Sequence, residues 1–128
     1  MFQNLDILKT AMAMARHAGF QQAQSAQNIA NADTPGYRAA TVIAFADLVR
    51  DRDGVTGQRA TRTGHLHGRA DATAVPVSLS RSAQDPNGNT VSVETEMVIA
   101  VDAKRQHDRA LAIYRSGLNI LRASIGRA

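Results

Sequence analysis

The chain has 128 residues, no Cys or Trp, 4% aromatic residues and a formal net charge of +4. This length allows one domain, and so few large side chains leave a conventional globular core thin. The absence of Cys excludes a disulfide framework and a thiolate metal site. Because the basic residues are scattered among Asp residues, the positive charge is interpreted as solvated rather than as a nucleic-acid patch.

The first ten residues lack the basic segment followed by an apolar segment that marks a Sec-type signal peptide. No stretch approaches the roughly 18 apolar residues that a membrane-spanning helix needs. The sequence therefore predicts a soluble chain that is made in the cytosol and carries no cleaved signal.

The first predicted element is a long helix over residues 1–34. An apolar or small seam repeats in alternating steps of three and four, which is the rhythm of a helix that packs on a partner. Its members are Leu5, Leu8, Met12, Ala15, Gly19, Gln22, Ala26 and Ile29. A second stripe comprises Ile7, Ala11, Met14 and Ala18. Two stripes predict several neighbours, and Gly19, which costs about 1 kcal/mol of helix propensity, predicts that another backbone comes close.

The run from Asn28 to Tyr37 predicts the end of this helix. Asn suits a helix end, where its amide can bond freed backbone groups. Thr34 is pushed out of the helical region by the following Pro35, and Pro35-Gly36 is typical of the centre of a type II turn. We expect the ring of Tyr37 to pack back onto the end of the helix.

Residues 35–91 form the predicted middle segment. Thr41–Val49 predicts an extended stretch followed by a short helix. From Asp51 to Thr90 the chain is rich in Gly, Thr, Arg and Asp, and such a composition cannot bury enough apolar surface to offset the ordering entropy. Val75–Leu79 alternates as a short edge strand does, since Pro76 argues against a central strand. We expect assembly with neighbours to order this segment.

The last predicted element is a helix over residues 92–128, with Ser92 as its N-cap. Its seam comprises Val93, Met97, Ala100, Lys104, His107, Leu111, Tyr114, Leu118, Leu121 and Ile125. The chain thus predicts a mainly α fold in which long N- and C-terminal helices pair as an antiparallel coiled-coil hairpin. An extended middle segment with short β elements joins the two helices.

Few residues are arranged as catalysis or metal binding would require. His65 and His67 are at most half of a metal site, because no acidic or Cys partner stands near them. His17 and His107 lie on separate helices. No Ser/His/Asp set, paired carboxylates or phosphate-binding Gly-rich loop is present. We therefore predict a protein that is not an enzyme and has no metal, cofactor or small-molecule substrate.

The pattern Asn28-x-x-Asn31-x-x-Thr34-Pro35-Gly36-Tyr37 resembles the signature of bacterial flagellar axial proteins, the rod and hook subunits. A second stretch, Asn87–Val91 leading into Glu94–Val98, resembles the start of the C-terminal helix in rod subunits. A weaker similarity lies in Arg62-Thr63 with His65. The short chain and the uninterrupted Thr-Pro-Gly-Tyr are most similar to the proximal-rod subunits, the FlgB type.

This resemblance implies a structural subunit of the basal-body rod that polymerises through its terminal helices, transmits torque and encloses the export channel. The implied partners are copies of itself, other rod subunits, the basal-body adapter at the inner-membrane ring and the export gate. It also implies type III export without a cleaved signal and a final place in the periplasmic rod.

Phe45 and Val49 have the spacing of a signal that the export gate reads in related proteins, although a packed short helix is the simpler interpretation and the one that we favour from sequence. The rival function is a basic coiled-coil adaptor that binds a cytosolic protein partner or nucleic acid. It explains the seams and the charge but not the Asn/Thr-Pro-Gly-Tyr run.

Overall fold

The computed structural model describes residues 2–54, 75, 77–79 and 84–126. Five elements follow one another along the chain: α1 (Phe2–Ala30), β1 (Ala40–Val42), α2 (Phe45–Gly54), β2 (Val77–Leu79) and α3 (Val93–Ile125). The fold is therefore mainly helical and is dominated by one long helix near each end of the chain, as the sequence predicted.

The helices α1 and α3 lie side by side and run in opposite directions. Near the end of α1, Ser25 donates a 2.7 Å hydrogen bond to the carbonyl of Glu96, which lies in the first turn of α3. Near the start of α1, Leu8 lies against Gly117, towards the end of α3. Contacts at both ends fix an antiparallel hairpin.

The two helices meet through small residues. The buried apolar positions of α1 are Ala11, Ala15 and Ala18, and those of α3 are Ala103 and Ala110. A Cβ atom added at Gly117 would lie 2.8 Å from Cδ2 of Leu8, so a larger residue at this position would push the helices apart. Small side chains let two helix backbones approach closely, and this sets the spacing of the pair.

The contact face of α1 lies between the two predicted stripes, since Ala15 belongs to the first stripe and Ala11 and Ala18 to the second. Other members of the seams are placed elsewhere: Gly19, Ala26, Met97 and Ile125 are exposed, Met12 is at the border of exposure, and Leu8, Ile29, Leu111, Tyr114, Leu118 and Leu121 are half-buried. Leu5 lies in the first turns of α1.

Gly19 has no close neighbour within the described hairpin. Apart from its chain neighbours and its own helix backbone, no described atom lies within 4 Å of a Cβ atom added at Gly19. The approach of another backbone to Gly19 therefore concerns a neighbouring subunit and stays a prediction. Within the hairpin, Gly117 is the glycine of the helix pair that is in close contact, with the side chain of Leu8.

The smaller elements follow the sequence prediction. Residues 41–49 are extended in β1 and helical in α2, and β2 is a short strand that pairs antiparallel with β1, with Thr41 opposite Ser78. The predicted N-cap is confirmed, because the Ser92 side chain accepts a hydrogen bond from the backbone N–H of Thr95.

Part of the sequence interpretation lies outside the described residues, namely Arg62, Thr63, His65, His67 and most of the Gly- and Thr-rich stretch between 55 and 83. Among the helices that the structure does describe, none combines the length and apolar content needed to cross a bilayer.

Candidate functional site at the turn end of the hairpin

The chain leaves α1 through a tight turn. The backbone N–H of Tyr37 donates to the carbonyl of Thr34 at 3.3 Å, and Gly36 has a φ of 71°. With Pro35 before a glycine of positive φ, this is the predicted type II turn. Asn31 follows the last helical residue, and its amide donates to the carbonyl of Gln27 at 2.8 Å. The turn thus reverses the chain immediately beyond the end of α1.

Asn28 is the centre of the first half of the site. Its side chain is 1% exposed, and all of its amide atoms are used. The Nδ2 group donates to the carbonyl of Ala40 at 2.9 Å and to Oε1 of Glu96 at 2.8 Å. Oδ1 accepts from the N–H of Ala40 at 3.1 Å and from the hydroxyl of Tyr37 at 3.2 Å. One side chain therefore joins α1, the turn, β1 and α3.

Asn89 is the centre of the second half and is also 1% exposed. Its Nδ2 group lies within hydrogen-bond distance of three carbonyl oxygens, those of Asn31 at 3.0 Å, Ala32 at 2.7 Å and Thr34 at 2.9 Å. Its Oδ1 accepts from the N–H of Val91 at 2.7 Å. These carbonyls belong to the turn that follows Ala30, the last residue of α1, so Asn89 binds this turn from a segment more than 50 residues away.

Backbone contacts hold the two loops together. The N–H of Gly36 donates to the carbonyl of Asn87 at 3.0 Å, and the N–H of Thr90 donates to the carbonyl of Tyr37 at 3.1 Å. Gly88 has a φ of 80°, and a Cβ atom added there would lie 3.4 Å from Cα of Gly36. Two glycines therefore face each other where the loops cross.

Glu96 carries the only buried carboxylate among the described residues. Its Oε1 accepts from Asn28, and its backbone carbonyl accepts from Ser25. Glu96 also lies in the first turn of α3, where the helix dipole favours negative charge. A buried charge needs such compensation, so this contact ties the start of α3 specifically to Asn28.

A separate contact attaches α2 to the middle of α1. Nε2 of His17, a residue that is 3% exposed, donates to the carbonyl of Ile43 at 2.8 Å. The ring of Phe45 lies 5.5 Å from the His17 ring, tilted by 56°. Phe45 and Val49 are both half-buried, so the pair considered as an export signal also packs within the chain.

The turn residues singled out by sequence are brought together at one end of the hairpin. Asn28 and Tyr37 share a hydrogen bond, Thr34 donates to Asn31 at 3.3 Å, and Pro35 is exposed. Sequence reasoning missed the burial of Asn89, Ser25 and Glu96. An amphipathic pattern assigns polar residues to the solvent-exposed face of a helix, so it cannot indicate which polar residues are buried. The only available signal was the Asn87-Gly88-Asn89 run, whose spacing is typical of a structured turn.

The chemistry of the site is that of neutral amides and backbone groups around one carboxylate. Within the described ranges, no group of three or more His, Asp or Glu side chains is arranged to hold a metal ion. Such an arrangement can fix the position of two chain segments and one helix end relative to each other.

Fold and site together define a small helical-hairpin protein with an asparagine-tied turn and large apolar side chains on its outside. A relative is flagellar basal body rod protein FlgB of Salmonella typhimurium, which is 33% identical over 126 residues, covering 89% of this chain and 91% of that protein. No protein-family model matches the chain. The chain belongs to the family of flagellar basal body rod proteins.

Proposed function

We propose that this protein is a structural, non-catalytic subunit of the proximal rod, which assembles through its terminal helices with copies of itself and with other rod subunits. The observation that carries this proposal is the distribution of apolar side chains. Among the residues whose burial the structure describes, six of the eight buried apolar residues are alanine, and the largest fully buried side chains are Asn28, Asn89 and Ser25.

The large apolar side chains lie mostly on the outside. Val98 is 62% exposed and Ile125 is 72% exposed, and other large apolar residues of both α1 and α3 are also exposed. The exposed large apolar residues of α1 and α3 are Ile7, Met12, Phe20, Val93, Met97, Val98, Val101, Ile113, Ile120 and Ile125. Full burial of one such side chain contributes about 1.5–3 kcal/mol. Contacts with neighbouring subunits would therefore supply more apolar burial than the hairpin supplies for itself.

The asparagine-tied turn supports a mechanical role. Asn28 and Asn89 together join the end of α1 and the start of α3 to the loops, so that the two helices cannot rotate independently at this end. In a rod, this rigidity would let each subunit transmit torque to the next. The helices would surround the export channel, with residues 1–34 and 92–128 as the helical core.

Export as an unfolded chain fits the small core, because little burial has to be undone before passage. We propose type III export without a cleaved signal, docking to the export gate and to the adapter at the inner-membrane ring, and assembly in the periplasm. Neighbouring subunits would order residues 35–91 on arrival.

We further propose that Phe45 and Val49 are read by the export gate. Phe45→Ala should then reduce the secreted fraction severalfold, measured by immunoblotting of cell and periplasmic fractions. Leu48→Ala is the matched control, because Leu48 is also a half-buried apolar residue of α2. Normal secretion of Phe45→Ala would refute the export role.

The function is tested in a strain that lacks the gene and is complemented with an epitope-tagged chain. We expect the strain without the chain to be non-motile, and the tagged chain to co-purify with basal bodies and to appear as density in the proximal rod. Recovery of the chain from the cytosol alone, bound to a soluble protein or to nucleic acid, would favour the basic adaptor instead.

A further inference from the structure

Charge is distributed unevenly along the hairpin. We divide it at the middle of the helix pair into a turn half (residues 17–50 and 84–108) and a terminal half (residues 2–16 and 109–126). The turn half holds seven acidic and four basic residues, and the terminal half holds one acidic and five basic residues. The formal charges of the two halves are therefore about −3 and +4 at neutral pH, with His counted as neutral.

Some of these charges form short-range ion pairs, and each such pair contributes no net charge to its half. Among the described residues, each pair joins neighbours on one helix: Lys9 with Asp6, Arg50 with Asp47, Lys104 with Asp108 and Arg105 with Asp102. The charges outside these pairs are Asp33, Asp85, Glu94, Glu96 and Arg38 in the turn half, and Arg16, Arg109, Arg115 and Arg122 in the terminal half. The difference in net charge between the two halves therefore comes from the side chains that are outside these ion pairs.

We propose that the terminal half docks against the turn half of a second copy of this chain, with the two hairpins parallel and displaced by about half their length. α1 has 29 residues, hence a length of roughly 44 Å and a displacement of about 22 Å. The inference rests on the proposed function and specifies the partner surface. Such a contact joins different surfaces of the two copies, so it repeats into an open helical polymer instead of closing into a dimer.

Both halves offer apolar surface for this contact. Phe20, Val98 and Val101 are exposed in the turn half, and Ile113 and Ile120 in the terminal half. Apolar burial favours association but fixes no direction, whereas complementary charge selects the register and opposes contact between two basic halves. Charge complementarity therefore determines the displacement between the two copies, and burial of the apolar side chains supplies the affinity between them.

The proposal is tested by charge reversal in the full chain, in buffer with trimethylamine N-oxide to favour the folded state. Sedimentation velocity is recorded from low to high salt. Arg109→Glu with Arg115→Glu should weaken self-association at low salt by about tenfold or more.

The compensating variant exchanges the signs of both halves. Adding Arg122→Glu takes the terminal half to about −2. Asp33→Lys, Asp85→Lys and Glu94→Lys in the same chain take the turn half to about +3, so association should be restored. The control is Arg38→Glu, which also lowers the net charge but lies in the acidic half and should not weaken association.

The wild-type chain should form a series of oligomers at low salt, and added salt should dissolve them, because exposed charges are screened beyond about 10 Å at 0.1 M. Equal weakening by Arg38→Glu, failure of the combined variant to recover, or a closed dimer as the sole product would overturn the proposal. If the chain is present in basal bodies but the reversals have no effect, only this contact is refuted. If charge-dependent association occurs but the chain is absent from basal bodies, the rod function fails instead.

Discussion

At the scale of single residues, the hairpin depends on two buried amides. Asn28 and Asn89 are polar and fully enclosed, and each bonds with both its donor group and its acceptor. A neutral amide fits here because it can donate to carbonyls and accept from N–H groups at once. An acid of the same shape can only accept, so the two positions should discriminate sharply between Asn and Asp.

We predict that Asn89→Asp lowers the free energy of unfolding by about 2–4 kcal/mol, because a carboxylate would face three carbonyl oxygens without a proton to donate. Far-UV circular dichroism during a titration with trimethylamine N-oxide measures this as a higher osmolyte midpoint.

Asn87→Asp is the control, with the same change of charge in the same loop. Oδ1 of Asn87 only accepts, from the N–H of Asn89, and Asp preserves this bond. We expect a change within about 0.5 kcal/mol for this exposed position. Equal effects of the two substitutions would refute the role assigned to Asn89.

At the scale of the helices, two glycines behave in opposite ways. Gly117 of α3 lies against the side chain of Leu8 of α1, whereas, outside its own helix backbone, no described residue comes within 4 Å of a Cβ atom added at Gly19. Each glycine makes its helix about 1 kcal/mol less stable than an alanine at the same position would. At Gly117, the close contact with Leu8 explains why a glycine is present in the helix. At Gly19, only a close contact with a neighbouring subunit would explain it.

We predict that Gly117→Leu destabilises the isolated hairpin, since overpacking costs about 1–3 kcal/mol and a larger side chain must displace Leu8. Gly19→Leu should stabilise the isolated hairpin slightly, by up to about 1 kcal/mol. The same osmolyte titration separates the two, because the midpoints should move in opposite directions.

Swimming in soft agar then tests the role of Gly19 in assembly. Gly19→Leu should abolish motility although its hairpin is intact, because the larger side chain would block a close contact between subunits. Motility at the wild-type level in this strain would refute such a contact.

At the scale of the whole molecule, the alanine core limits the stability of the isolated subunit. Burial of one CH₂ group contributes only about 0.8 kcal/mol, and in the described part of the chain the buried apolar residues other than alanine are Val42 and Val91. Small domains with thin cores depend on additional contacts. Rod assembly would provide these contacts and couple folding to incorporation.

We therefore predict that the isolated chain at low concentration is loosely helical and melts broadly, with less helix than α1 and α3 together would give. Circular dichroism over temperature, with analytical ultracentrifugation to establish the monomer, measures this. Trimethylamine N-oxide should sharpen the transition in a parallel sample. A sharp cooperative melt of a monodisperse monomer without osmolyte would contradict the prediction.

The elements could largely be predicted from the sequence, because they depend on local rules. The three-and-four repeat indicates both long helices, Thr34-Pro35-Gly36-Tyr37 indicates the turn, and Ser92 indicates the start of α3. The contact face was less predictable. Hydrophobic patterns give weight to large residues, but close helix packing selects the small ones, here Ala11, Ala18 and Ala103.

By itself, the sequence determined the two helices, the turn between them and the resemblance to flagellar axial proteins, since all three reside in residues close together along the chain. Only the tertiary structure decided that Asn89 binds the turn after α1, that Glu96 is buried against Asn28 and that the charges outside the helix-internal ion pairs separate along the hairpin. These features join residues that are far apart in the chain. They arise because the antiparallel pairing of α1 and α3 brings the end of one helix to the start of the other.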